Sequence, residues 1–146
     1  MVSAGSYGIG TLNKSNGTLT NKSTLTVSNF NQSNGTTTNS GNLTIGNANL
    51  GGTLNSTGTL NLTGNVVTRG NLTSTGNLNN RGNWTETNRY TIAANLNNSG
   101  SVNFQNGFEF SNGRLTSSGT VQTNNVFDVF RSEERRVGKE CRSRWS

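Results

Sequence analysis

A six-residue register runs through the middle of this chain and leaves few folds open to it. Counting in sixes from Leu54 gives Leu60, Val66, Leu72, Leu78, Trp84, Tyr90, Leu96, Val102 and Phe108, all apolar, set among Asn, Thr, Ser and Gly. Glycine stands two residues before most of them, at Gly52, Gly58, Gly64, Gly70, Gly76, Gly82 and Gly100. A disordered segment holds no such register, so this is a repeat architecture. Six is not a multiple of the helical 3.6, and the apolar residues would spiral around a helix. It is a multiple of two, which suits strands, whose alternate residues share a face. One apolar residue per unit cannot fill the space between two sheets. It fills the inside of a narrow coil in which each unit supplies a short strand and a corner. Glycine suits such a corner because it accepts positive φ.

Three units close a triangular turn of about 18 residues, the order of size expected of a solenoid repeat. Leu78-Asn79-Asn80-Arg81-Gly82 returns three units later as Leu96-Asn97-Asn98-Ser99-Gly100. Leu25-Thr26-Val27 returns as Leu43-Thr44-Ile45, and Leu60-Asn61-Leu62 follows one residue short of that interval. The pattern predicts an all-β fold: a triangular parallel β-helix, or β-solenoid, of about seven coils with the ten hexad residues from Leu54 to Phe108 as its core.

The flanks follow the same reading. Leu12, Leu19, Leu25, Phe30, Thr37 and Leu43 are a looser version of the register. The polar stretch 31–41 reads either as a coil with Thr37 inward or as a loop bulging from the stack, the coil being favoured because Leu43 resumes the register. Phe104 and Phe110 lie two residues beyond inward positions and are expected inside as well. Asn61, Asn79, Asn97 and Asn103 are expected to stack into hydrogen-bonded ladders between coils. After Phe108 the register slips by one and continues as Leu115, Val121 and Phe127, so one inserted residue near Gly113 is expected at a corner. The solenoid region is read as residues 1–130.

Hydrophobic residues make up only 27% of the chain, too few for a sandwich or barrel of this length. Stacking them into one column makes the small number sufficient. Proline is absent, which fits strands that donate ladder bonds on both sides. No stretch approaches the roughly 20 apolar residues of a membrane span, so no membrane insertion is expected. Residues 1–6 show neither the basic nor the apolar region of a signal peptide. We expect a piece of a longer secreted chain.

The formal charge of +6 misleads. The last sixteen residues, 131–146, hold six Lys/Arg against three Glu. The body carries Lys14, Lys22, Arg69, Arg81, Arg89 and Arg114 against Glu86, Glu109 and Asp128. That is a dispersed, mildly basic surface without the cluster a nucleic-acid footprint needs, so no nucleic-acid partner is expected. The string from Arg131 to Ser146 contains no Asn and no Thr, holds Cys141, and keeps no register. It closely resembles the translation of a common short-read sequencing adapter. It is read as a non-native or disordered basic tail and set aside from functional reasoning.

Leu-x-Asn-x-Gly occurs at Leu78, Asn80 and Gly82 and again at Leu96, Asn98 and Gly100. In this motif the repeat resembles the haemagglutinin repeats of filamentous-haemagglutinin-type exoproteins, the large adhesins of bacterial two-partner secretion. The resemblance covers most of residues 11–123 and implies a right-handed parallel β-helix, secreted or held at the bacterial cell surface. It implies a host-surface glycan or protein as partner. The hexad here is shorter and stricter than in that family. It also differs from the left-handed hexapeptide acyltransferases, which place a small non-glycine residue where Gly stands here.

Chemistry-bearing residues are sparse. Without histidine there is no His-based triad, proton shuttle or His-ligated metal. Glu86 and Glu109 are one position short of four hexads apart, a little over one coil. A glycosidase needs two carboxylates across a groove, but scattered solvated charges are the expectation here. No acid cluster suits Ca²⁺, and Cys141 has no CxxC partner for zinc. Gly46-Asn47-Ala48-Asn49-Leu50-Gly51 lacks the lysine and the following helix of a phosphate loop. Trp84 and Tyr90 hold inward positions, so core packing is expected over stacking on a sugar. No cofactor and no enzymatic activity are expected.

Thr-x-Thr steps mark a candidate binding face. Thr18 and Thr36 are three hexads apart, as are Thr20 and Thr38, and a further coil of the same length offers Leu54 and Ser56. The expected match is therefore two coils deep. The leading expectation is a structural, non-catalytic segment of a secreted adhesin, with exposed end strands open to end-to-end self-association. The alternative is a stand-alone binding module for ice or glycan using this Thr/Asn-rich face.

Overall fold

The computed structural model describes residues 5–124. Phe127, the expected end of the repeat body near Phe130 and the tail 131–146 lie outside them. The described chain contains strands and no helix. In chain order these are β1 (Ser6–Lys14), β2 (Thr18–Asn21), β3 (Thr24–Gln32), β4 (Thr36–Asn39), β5 (Asn42–Leu50), β6 (Thr53–Ser56), β7 (Thr59–Leu62), β8 (Asn65–Thr68) and β9 (Asn71–Ser74). They continue as β10 (Leu78–Asn80), β11 (Asn83–Glu86), β12 (Tyr90–Ile92), β13 (Asn95–Asn98), β14 (Ser101–Phe104), β15 (Phe108–Phe110), β16 (Arg114–Ser117) and β17 (Thr120–Thr123).

Among the described residues all pairings are parallel and join one coil to the next, which makes the chain a β-solenoid. Three faces run along it. The first is built from the N-terminal halves of β1, β3 and β5, then β7, β10, β13 and β16, seven rungs in all. The second takes the C-terminal halves of the same long strands, then β8, β11, β14 and β17. The third consists of β2, β4, β6 and β9, followed by the separate pair β12 and β15. In the first three coils the strand bends through the corner, and only Gly10, Ser28 and Gly46 drop out of the ladder.

The coil is three hexads long where Leu60 meets Leu78 and Leu78 meets Leu96. One corner is a residue short. Ser33-Asn34-Gly35 is followed a coil later by Gly51-Gly52, so Gln32 pairs Leu50 but Thr36 pairs Thr53. Another is a residue long. Ile92 pairs Phe110, whereas Asn95 pairs Arg114, so the extra residue falls within Ser111-Asn112-Gly113 as the register slip indicated. Asn112 takes φ 65° there, a left-handed conformation that asparagine tolerates better than most residues.

Each short strand, and each half of the long strands β3 and β5, points two residues inward. The hexad residue is the first. Leu54, Leu60, Val66, Leu78, Trp84, Tyr90, Leu96, Val102 and Phe108 are buried, and Thr37 takes its inward place as expected. Leu72 is the exception and is only half-buried. Its strand β9 ends the four-stranded sheet, and β12 above it belongs to a separate one, so no ladder closes over Leu72. The break coincides with the onset of bulk. Trp84, Tyr90, Phe104, Phe108 and Phe110 form a continuous aromatic cluster with ring centroids 4.6 to 5.8 Å apart. Phe104 and Phe110 lie inside, as their parity requires.

The second inward residue is often polar and stands beside a corner, where backbone carbonyls turn in. Asn98 shows what it does there. Its Nδ2 donates to the carbonyls of Thr120 at 2.9 Å and Gly100 at 3.3 Å, and to Ser117 Oγ at 3.1 Å. Its Oδ1 accepts from Asn80 Nδ2 at 2.8 Å. Asn21 and Asn39 form an equivalent pair at 2.8 Å. Replacing Asn98 by Ala would strand several buried groups at once, and each costs about 1–3 kcal/mol unpaired. We expect Asn98→Ala to lower unfolding free energy by about 2 kcal/mol or more in urea titration. An effect below about 0.5 kcal/mol, the size of an ordinary surface change, would show that the ladder contributes little.

The glycines before the hexad residues are not there for positive φ, contrary to expectation. Among described residues, positive-φ glycine occurs at Gly5, Gly17, Gly35 and Gly107. The hexad glycines instead pack against the carbonyl oxygen of the coil below. A Cβ on Gly82 would fall within the van der Waals shell of the Gly64 oxygen, and one on Gly100 within that of Gly82.

Candidate functional site

In-out alternation sends the other residues of each strand to the surface, and the three faces differ in what those residues do. On the first face the outward residues bond to one another. Asn61 Nδ2 donates to Thr44 Oγ1 at 3.3 Å, Asn79 to Asn61 Oδ1 at 2.9 Å, and Asn97 to Asn79 Oδ1 at 2.9 Å. The expected asparagine ladder exists, except that Asn103 belongs to the second face, between Thr85 and Gln122. It stands four hexads from Asn79, and the step that aligns the others is three. The second face has its own chains of amides, from Asn31 to Asn13, Asn47 to Asn29 and Asn83 to Asn65.

The third face carries the threonines. Thr18 pairs Thr36 and Thr20 pairs Thr38, as the spacing indicated. The next coil does not offer Leu54 and Ser56. The shortened corner at Gly51-Gly52 brings Thr53 beside Thr36 and Asn55 beside Thr38, while Leu54 and Ser56 point inward. A further coil adds Asn71 and Thr73. Two outward columns result, Thr18-Thr36-Thr53-Asn71 and Thr20-Thr38-Asn55-Thr73, four coils deep rather than two.

The two carboxylates are not brought together. Glu109 is outward on β15, where it accepts from Arg89 Nη2 at 3.2 Å and Thr91 Oγ1 at 2.9 Å. Glu86 faces the other way. It is 1% exposed, at the second inward position of β11, so it is not the solvated charge expected. The parity that places Phe104 inside applies equally to Glu86, two residues after Trp84. That was the available signal. Its Oε1 accepts from the Asn88 backbone N–H at 3.0 Å, and its Oε2 lies against Thr68 Oγ1. Trp84 Nε1 donates to the same Thr68 oxygen at 3.1 Å. Burial pushes the Glu86 carboxyl up to about 7, although the bonds from Thr68, Asn88 and Thr87 oppose the shift. Tyr90 beside it is raised too, by burial first and by the Glu86 charge second.

Below about pH 7 this arrangement holds a neutral carboxylic acid. Protonated on Oε2, Glu86 donates to Thr68 Oγ1, which also accepts from Trp84. The Thr68 hydroxyl can then donate to the Thr85 carbonyl 3.3 Å away. Among the described residues no second carboxylate faces the buried acid, so it lacks the geometry of glycoside hydrolysis. Trp84 and Tyr90 are 1% and 3% exposed and present no ring to a sugar. Comparison with protein-family models, with curated proteins and with solved structures gives no match.

Proposed function

We propose that this chain is a structural, non-catalytic rod segment of a secreted bacterial surface adhesin. The observation that carries the reading is the role each residue of Leu-x-Asn-x-Gly takes. Leu96 fills the core, and Asn98 ties its corner to the coil above and the coil below. Gly100 lets that corner sit directly on Gly82. All three act in joining coils, and none is available to a substrate. This is the residue usage of a shaft, in which the repeat exists to extend itself.

Host-surface glycan or protein is the partner proposed for such an adhesin. A second copy stacked end to end is a further one, since Tyr7 on the first rung is 47% exposed and another coil would cover it. The test is incubation of the purified chain with a panel of bacterial and host polysaccharides. No turnover is expected, because no described carboxylate pair spans a groove. Hydrolase or lyase products, lost on changing Glu86 or Glu109, would overturn the reading.

A further inference from the structure

We infer that the third face, over β2, β4, β6 and β9, is a docking surface for ice. The first observation is the hydrogen bonding of the outward side chains: many amides pair, whereas threonines stay open, and on the first face the open Thr24, Thr26 and Thr59 share their columns with Asn42 and Asn61. The first two faces spend many outward amides on one another, in ladders such as Asn61-Asn79-Asn97 and Asn65-Asn83. On the third face the side chains of Thr18, Thr20, Thr36, Thr38, Thr53 and Thr73 bond to nothing else among the described residues. Their hydroxyls are held in rows and left open.

The second observation is the lattice. Parallel pairing sets successive threonines of a column about 4.8 Å apart along the axis, and the two columns are separated by two residues, about 6.6 Å. Threonine is stiff at χ1, so backbone order passes to the hydroxyl and methyl groups. The face therefore repeats hydrogen-bonding oxygens in two dimensions, with methyls between them. An ice plane is a surface with the same kind of repeat. It engages many weak groups at once, and each methyl excludes liquid water from the contact.

The third observation selects ice over crystalline polysaccharide. Sugar surfaces are gripped by exposed aromatic rings and charged or amide hydrogen bonds. The outward positions from Thr18 to Thr73 on this face contain no aromatic and no charged residue, and amides at only two of the eight, Asn55 and Asn71. Charge stands at the flanks of this region: exposed Lys22 directly after β2, Lys14, whose Nζ donates to the Gly17 carbonyl at 2.8 Å, and, beyond β9, Arg89 and Glu109, which neutralise each other. A neutral, rigid array in which six of the eight positions present a hydroxyl and a methyl has little to offer a flexible or charged partner.

The experiment is thermal hysteresis and ice-affinity partitioning of the full chain, beside Thr36→Tyr, Thr20→Lys and, on the first face, Thr26→Tyr. All three changes are outward, and circular dichroism checks that the coils persist. The native chain and Thr26→Tyr should enter growing ice and show hysteresis. Thr36→Tyr and Thr20→Lys should fall to the level of buffer. Absence of ice affinity in the native chain overturns the inference, as does equal loss in Thr26→Tyr. Retention of microcrystalline chitin or cellulose without ice affinity, lost in the Thr36 and Thr20 variants, assigns the face to a glycan instead and also overturns it.

Discussion

Glu86→Gln will raise the thermal unfolding midpoint of this protein by about 10 °C above pH 7 and change it little near pH 4. The cause is a carboxyl moved from 4.5 to about 7 by burial. Below about pH 4.5 the acid is neutral in both folded and unfolded chains, and stability is full. Between about 4.5 and 7 the unfolded chain ionises while the folded chain keeps its proton, so stability falls as pH rises. Above about 7 the folded acid ionises as well, and the loss stops growing. A shift of this size corresponds to roughly 3 kcal/mol, at about 1.36 kcal/mol per pKa unit. Glutamine keeps the shape and supplies a donor toward Thr68 and an acceptor for the Asn88 N–H. It therefore mimics the protonated acid at every pH. Melting curves of the two proteins from pH 4 to 9 should converge at the acid end and diverge at the alkaline end. Parallel curves would mean that Glu86 is not held neutral.

Gly82→Ala will cost about 3 kcal/mol, at the upper end of overpacking costs, and more than the same change at Gly17. The two glycines serve different purposes. Gly17 has φ 74° and open space where a Cβ would go, so alanine there costs only the left-handed conformation, about 1 kcal/mol. At Gly82 the new methyl meets the Gly64 carbonyl, a backbone atom held by its own ladder bonds. Relief requires two coils to separate, which strains the bond from Asn83 N–H to Gly64 O at 2.9 Å and its neighbours. Urea titration of both variants reads the difference. A larger cost at Gly17 would mean that the corners are set by backbone conformation and not by close approach.

Both predictions turn on positions the hexad marks without explaining. The glycines are visible in the sequence, but the chain alone shows a corner, and a corner suggests positive φ. Only the stacked coils reveal that the carbonyl below excludes a side chain. Glu86 is visible by parity, two residues after Trp84, yet a carboxylate reads as a surface residue until its neighbours are known. Leu72 fails in the opposite sense. Its register is right, but its cover depends on whether β12 joins the sheet above it.

The period, the strand class, the three-hexad coil and the inward identity of nearly every hexad residue follow from the sequence by itself. These are local properties. A strand alternates its faces whatever lies beside it, and a corner in every hexad repeats that alternation. Lateral alignment is different, because it is the sum of all corner lengths between two positions. One residue lost at Gly51-Gly52 moves Thr53, not Leu54, beside Thr36. One residue gained at Asn112 shifts Arg114 beside Asn95. Those two corners decided which side chains share a column. The coils above and below decided which polar groups are buried, which hydroxyls stay open and which glycines admit no side chain. Each of those depends on contacts between residues about a full coil apart, and only the tertiary structure brings them together.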